Sequence, residues 1–167
     1  MSECCSVMVE APCAVSRREV TVCPGCSTKA KPIATITVKS LVRDHMQVSA
    51  EDTFWLCRAP SCDVVYFSDN GIFRKSDLKV RVGFKEQEDP IPLCYCFDYT
   101  RSDITRDLSL NGEADIPKKV KAEVHRGFCA CEVKNPSGAC CLGDLNRIVK
   151  EFERTSPEQQ VQTKSFV

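Results

Sequence analysis

The sequence predicts an α+β protein, with a small β-rich lobe built on four cysteines and a helical lobe built on a second cysteine group. Three observations carry this reading. Short alternating or β-branched runs fill the chain up to about residue 82. Helix caps, a first-turn proline and closing glycines come only after residue 92. Finally, 13 of the 167 residues are cysteine, and all but Cys13 are gathered in close pairs.

Composition narrows the function. With 23 basic and 23 acidic residues the formal charge balances, and the basic residues are spread along the chain, so no nucleic-acid partner is expected. The N-terminus Met1-Ser2-Glu3-Cys4-Cys5 lacks a basic region leading into an apolar core. No apolar run reaches the roughly 18–20 residues of a bilayer span. The expectation is a cytoplasmic protein without membrane insertion, where clustered cysteines serve as metal ligands more often than as disulfides.

Taken in order, residues 1–19 read as a flexible tail with Cys4, Cys5 and Cys13. Those thiols are either incidental or soft ligands for Cu(I) or a similar thiophilic ion. The β-rich lobe spans 20–89. It opens on Cys23-Pro24-Gly25-Cys26, a knuckle that turns two sulfurs toward one point, with Gly25 free to take a positive φ. Ile33–Val38 and Thr53–Leu56 read as strands, the second leading into Cys57 and Cys62. Val64–Phe67 and Ile72–Phe73 flank Ser68-Asp69-Asn70-Gly71, a hairpin signal, and Lys79–Val82 alternates like another strand. Cys23, Cys26, Cys57 and Cys62 thus sit at the corners of a unit too small for much core. A closed tetrahedral zinc site would cross-link it. A reactive dithiol is the competing reading of the Cys-x-x-Cys pair.

A charged, then proline-rich stretch, Lys85–Pro92, marks the boundary to a helical lobe over 90–155, and a solvated tail covers 156–167. Cys94 and Cys96 are two apart, so in an extended segment both sulfurs share one face. About thirty residues of helix-like sequence separate them from Cys129, Cys131, Cys140 and Cys141. Four thiolates converging from two loops suit a [2Fe–2S] cluster. Thr100 with Asp103 makes a capping box for a helix ending near Asn111-Gly112. Pro117 opens a second helix closed by Gly127, with Val120 and Val124 on its buried side. Asn135–Gly138 forms a turn, and Leu142–Arg154 an amphipathic closing helix. His45 and His125 belong to no Cys/His spacing motif and are not expected to be ligands.

Five motifs occur in sequence: Cys23-Pro-Gly-Cys26, Ser61-Cys-Asp-Val-Val-Tyr-Phe67, Val82-Gly-Phe-Lys-Glu86, Leu93-Cys-Tyr-Cys-Phe97 and Asn135-Pro-Ser-Gly-Ala-Cys-Cys141. Together they resemble the N-terminal domain of the CopZ family of copper chaperones, over about Val22 to Glu153. The resemblance implies a mononuclear zinc and a [2Fe–2S] cluster, in a cluster lobe similar to bacterioferritin-associated ferredoxin (BFD-like). It assigns Cys23, Cys26, Cys57 and Cys62 to zinc, and Cys94, Cys96, Cys131 and Cys141 to the cluster. Cys131 is preferred to Cys129 by its distance to Asn135-Pro136, and Cys129 and Cys140 are left over as small hydrophobes. The family's copper domain, with its Met-x-Cys-x-x-Cys site, does not follow in this sequence, so copper delivery to a transport ATPase is not carried across.

The expected function is one-electron transfer in copper homeostasis, to a redox or metal-trafficking protein or to Cu(II) itself. The alternatives are Cu(I) capture by the N-terminal cysteines and a purely structural zinc adaptor. No acid/base pair or activated nucleophile argues for other enzyme chemistry. With both centres loaded the net charge would be about −4.

Overall fold

The computed structural model describes residues 21–155. Its first lobe is a four-stranded antiparallel sheet in the order β1 (Lys31–Ile33), β2 (Phe54–Leu56), β3 (Val64–Phe67), β4 (Ile72–Arg74). The central strand β3 is buried along its whole length, so it carries apolar residues at every position rather than at alternate ones. A bulge between Val64 and Tyr66 breaks the alternation. Val65 and Tyr66 join Phe54, Leu56 and Phe73 in the main core, while Val64 and Phe67 pack with Cys23 and Cys57.

The hairpin β3–β4 forms where Asn70-Gly71 signalled it, closed by a hydrogen bond from the Ser68 amide to the Gly71 carbonyl at 2.8 Å. Neither Asn70 nor Gly71 takes a positive φ, so the turn is not the primed type. Asp52 shapes it instead, accepting from Ser68 Oγ and Asn70 Nδ2, each at 2.8 Å.

Two expected strands are absent. Residues 35–41 form helix α1 (Thr35–Leu41) rather than continuing a strand. Thr37, Val38 and Leu41 are buried while Ile36 is exposed, which is a helical face and not an alternation. Tertiary packing has overridden the β-branched preference of Thr-Ile-Thr-Val. Lys79–Val82 keeps the alternation, with Leu78 and Val82 buried, but finds no strand to pair with beyond a single bridge from Leu78 to Val42. The chain turns instead into a 3₁₀ turn at Gly83–Lys85.

The second lobe begins with a two-stranded ribbon, β5 (Pro92–Cys94) and β6 (Tyr99–Thr100). Then come α2 (Arg101–Asn111), α3 (Asp115–His125), the single turn α4 (Cys131–Lys134) and α5 (Leu142–Thr155). The capping box at Thr100 and Asp103 is present, and Gly112 closes α2 at φ 70°. Ile104, Leu108, Ile116, Val120, Leu145 and Ile148 fill the helical core.

The two lobes dock. Helix α4 packs on α1, and the buried Tyr66 hydroxyl donates to the Pro136 carbonyl at 2.7 Å, across 70 residues of sequence. Gly138 lies at φ 63°, and a Cβ there would stand 2.8 Å from Ile33 Cδ1. Only glycine meets both conditions, the left-handed backbone and the close approach.

Candidate metal centres

Four cysteine sulfurs meet beside the sheet. Cys23 and Cys26 come from the turn before β1, Cys57 from the end of β2, and Cys62 from just before β3. All four sulfurs lie within 4.8 Å of one another. Cys23 and Cys62 are 3.9 Å apart and Cys26 and Cys57 3.6 Å. A tetrahedron with zinc–sulfur bonds of 2.3 Å has edges of about 3.8 Å, so these separations fit a closed zinc site. The expected positive φ in the knuckle falls on Ser27 (57°) and not on Gly25. Gly25 supplies room instead: a Cβ would meet Val64 Cγ2 at 2.9 Å and Cys62 Sγ at 3.3 Å.

The thiols are not equivalent. Cys26 is solvent-exposed, and hydrogen bonds from Thr28 lower its pKa to about 6. Burial pushes Cys57 up to about 12 and also raises Cys62. The site therefore starts with an outer thiolate and inner thiols that must lose protons to a metal.

Above this group stands a residue the sequence reading passed over. Lys85, placed among the boundary residues by its charged neighbours, is 3% exposed. Its ammonium donates to the Ala59 carbonyl at 2.8 Å, to the Cys62 carbonyl at 3.0 Å and to Cys57 Sγ at 3.8 Å. Two residues earlier, the Gly83 amide donates to Tyr95 Oη at 2.8 Å, and Tyr95 in turn donates to the Arg81 carbonyl at 2.9 Å. Residues 81–86 thus form a strap from the first cysteine group to the loop bearing Cys94 and Cys96. In the sequence this strap shows only as Val82-Gly-Phe-Lys-Glu86, a motif that carries no sign of which residues it contacts.

In the second lobe the cysteines meet two by two. Cys94 ends β5, but Cys96 lies in the turn after it, so the two do not share the face of one extended segment. Cys96 faces Cys131, sulfur to sulfur at 3.7 Å, and accepts from the Ala130 amide at 3.3 Å. Cys94 is buried beside Cys141, and the interaction between the two thiols lowers Cys94 to about 6 and raises Cys141. Cys131 is pushed up to about 12, chiefly by burial. Of the final doublet, Cys141 is 1% exposed and Cys140 points outward, as expected for adjacent residues entering a helix. Cys129 is half-buried and Cys140 exposed, not the buried hydrophobes expected of spare cysteines.

All ten cysteines among the described residues are free thiols. His45 and His125 are exposed and join neither group. Cys4, Cys5 and Cys13 lie outside the described residues. No helix among the described residues is long and apolar enough to cross a membrane.

Comparison with known proteins bears on the first of these two cysteine groups. A CopZ-type family model described as a zinc binding domain matches residues 20–79. The copper chaperone CopZ of Archaeoglobus fulgidus is 36% identical over 128 residues, which is 75% of this chain and 60% of that protein. The X-ray structure of the A. fulgidus CopZ N-terminal domain superposes with a TM-score of 0.65 at 36% identity, covering 77% of this chain and 98% of that one. The chain therefore spans 60% of the length of the curated relative it matches.

Proposed function

The chain belongs to the family of the CopZ N-terminal domain, and on that premise we propose that it is a two-centre redox module in copper handling. Cys23, Cys26, Cys57 and Cys62 hold zinc as scaffold in a lobe spanning 20–89. Cys94, Cys96, Cys131 and Cys141 hold a [2Fe–2S] cluster in a lobe spanning 90–155. The observation that carries the cluster is the pairing of its thiols. A binuclear iron centre takes two terminal thiolates on each iron. Cys96 with Cys131, and Cys94 with Cys141, are two such pairs. Zinc suits the first group for the opposite reason, since its four sulfurs crowd around a single point.

A [2Fe–2S] cluster held there supplies one-electron transfer. The chain's own residues give that chemistry a direction. Cys94 and Cys141 are buried against Ile104, Leu108 and Leu145, which exclude water from the inner side. Cys96 and Cys131 are only half-buried and form the side open to a partner. The Ala130 amide stabilises negative charge on Cys96 Sγ. Such a cluster, reduced by an upstream donor, would supply one electron to a partner protein or to Cu(II), giving Cu(I) for soft thiolates to hold. We place the protein in the cytoplasm, where free thiols persist.

The test is to load and reduce the full chain anaerobically, then mix it with Cu(II). Reoxidation of the visible chromophore with about one Cu(I) formed per electron is expected. A chromophore that stays reduced while Cu(II) persists would overturn the copper role.

A further inference from the structure

Lys85 is the only charged side chain buried among the described residues, and no carboxylate pairs with it there. An ammonium taken out of water without a counter-charge costs several kcal/mol. Two carbonyls take two of its three N–H donors and leave its charge uncompensated. Both belong to the segment joining Cys57 to Cys62, and the third partner is Cys57 Sγ itself. A divalent ion with four thiolates carries a charge of about −2. The counter-ion that Lys85 lacks is therefore the loaded site beneath it.

We propose that Lys85 is a positioning residue of the zinc site: its ammonium clamps the Cys57–Cys62 loop, donates to Cys57 Sγ and offsets part of the thiolate charge. This inference rests on the metal-binding reading of the four cysteines. It assigns the strap a role at the metal, whereas the cysteines alone supply the ligands. The contacts also distinguish Lys85 from a mere packing residue. A lysine kept for its aliphatic stem would carry its ammonium to solvent; this one turns it inward onto two carbonyls and a sulfur.

Cobalt(II) in place of zinc gives the test, since thiolate-to-cobalt charge-transfer bands report the electron density on sulfur. The full chain and its Lys85→Met and Lys85→Arg variants are loaded anaerobically and compared. In Lys85→Met, loss of the N–H donor and the positive charge is expected to move the charge-transfer band to longer wavelength. Metal release to a chelator should be about 10-fold faster or more, the usual effect of removing a ligand's hydrogen-bonding partner. Lys85→Arg, which keeps charge and donors, should stay closer to the native spectrum. Unchanged band position and release rate in Lys85→Met would overturn the proposal. A native chain that takes up cobalt without a tetrahedral four-thiolate spectrum would instead overturn the metal reading on which it rests.

The native chain supplies a second measurement, independent of whether the variants fold. Lysine acetylation read by mass spectrometry should find Lys85 among the slowest lysines in the metal-loaded protein and faster after chelation. Acetylation of Lys85 in the loaded protein at the rate of exposed lysines would refute the clamp.

Discussion

Gly83→Ala is the sharpest single perturbation of the strap. A Cβ at this position would lie 1.8 Å from the Pro92 carbonyl oxygen and 3.3 Å from Tyr95 Oη. Gly83 does not need a positive φ, so the penalty is steric and not conformational. To reach ordinary contact the strap and β5 must part by more than about 1 Å. The strap is held on both sides. Lys85 is fixed over the Cys57–Cys62 loop, and the Arg81 guanidinium donates to the Pro90 and Glu88 carbonyls and pairs with Glu86. Movement therefore falls on β5, which ends at Cys94. Overpacking, together with the lost Gly83–Tyr95 hydrogen bond, should cost about 2–4 kcal/mol. Anaerobic denaturant melts and metal analysis check this: a lowered midpoint and reduced iron are expected, with zinc retained. Gly143→Ala is the control, since nothing stands within 4 Å of that Cβ and the residue lies in α5. It should stabilise by about 0.5–1 kcal/mol. A Gly83→Ala protein with native stability and full iron would refute the packing reasoning.

Other consequences are independent of the strap. Tyr66→Phe removes the hydroxyl donating to Pro136 between the lobes and should cost about 1–3 kcal/mol in the same melts, because the buried carbonyl loses its partner. Cys141→Ser is expected to abolish the visible chromophore, while Cys140→Ser, an exposed position, should leave it in place; the opposite pattern would exchange the two assignments. Zinc affinity should rise with pH. Cys57 and Cys62, both raised by burial, are still protonated near neutrality and must release their protons to bind metal. Competition titrations between pH 7 and 8 should then show tightening by at least about a hundredfold per unit, the release of those two protons alone. Cys26, lowered to about 6, adds to the slope only below that pH.

How much of this could be read in the sequence depended on how local the cause was. The knuckle Cys23–Cys26, the capping box at Thr100, the glycine closing α2 and the amphipathic α5 follow from neighbours within one or two turns, and each was legible. Helix α1 was not. Its β-branched residues favour a strand, and only the burial of Thr37, Val38 and Leu41 together, supplied by distant elements, selects the helix. The alternation at Lys79–Val82 was real but had no partner strand, a fact outside any local pattern. The four cysteines of the first centre were legible because close spacing constrains geometry. Lys85 was missed because a lysine between charged residues reads as surface, and its partners Ala59 and Cys62 lie more than twenty residues away.

The most direct measurement is metal and acid-labile sulfide content, with an absorption spectrum, on chain purified without oxygen. About one zinc, two irons and two sulfides per chain, with visible absorption, is the expected result. Zinc alone in a colourless protein, with Cys94, Cys96, Cys131 and Cys141 all titrating as free thiols, would contradict it.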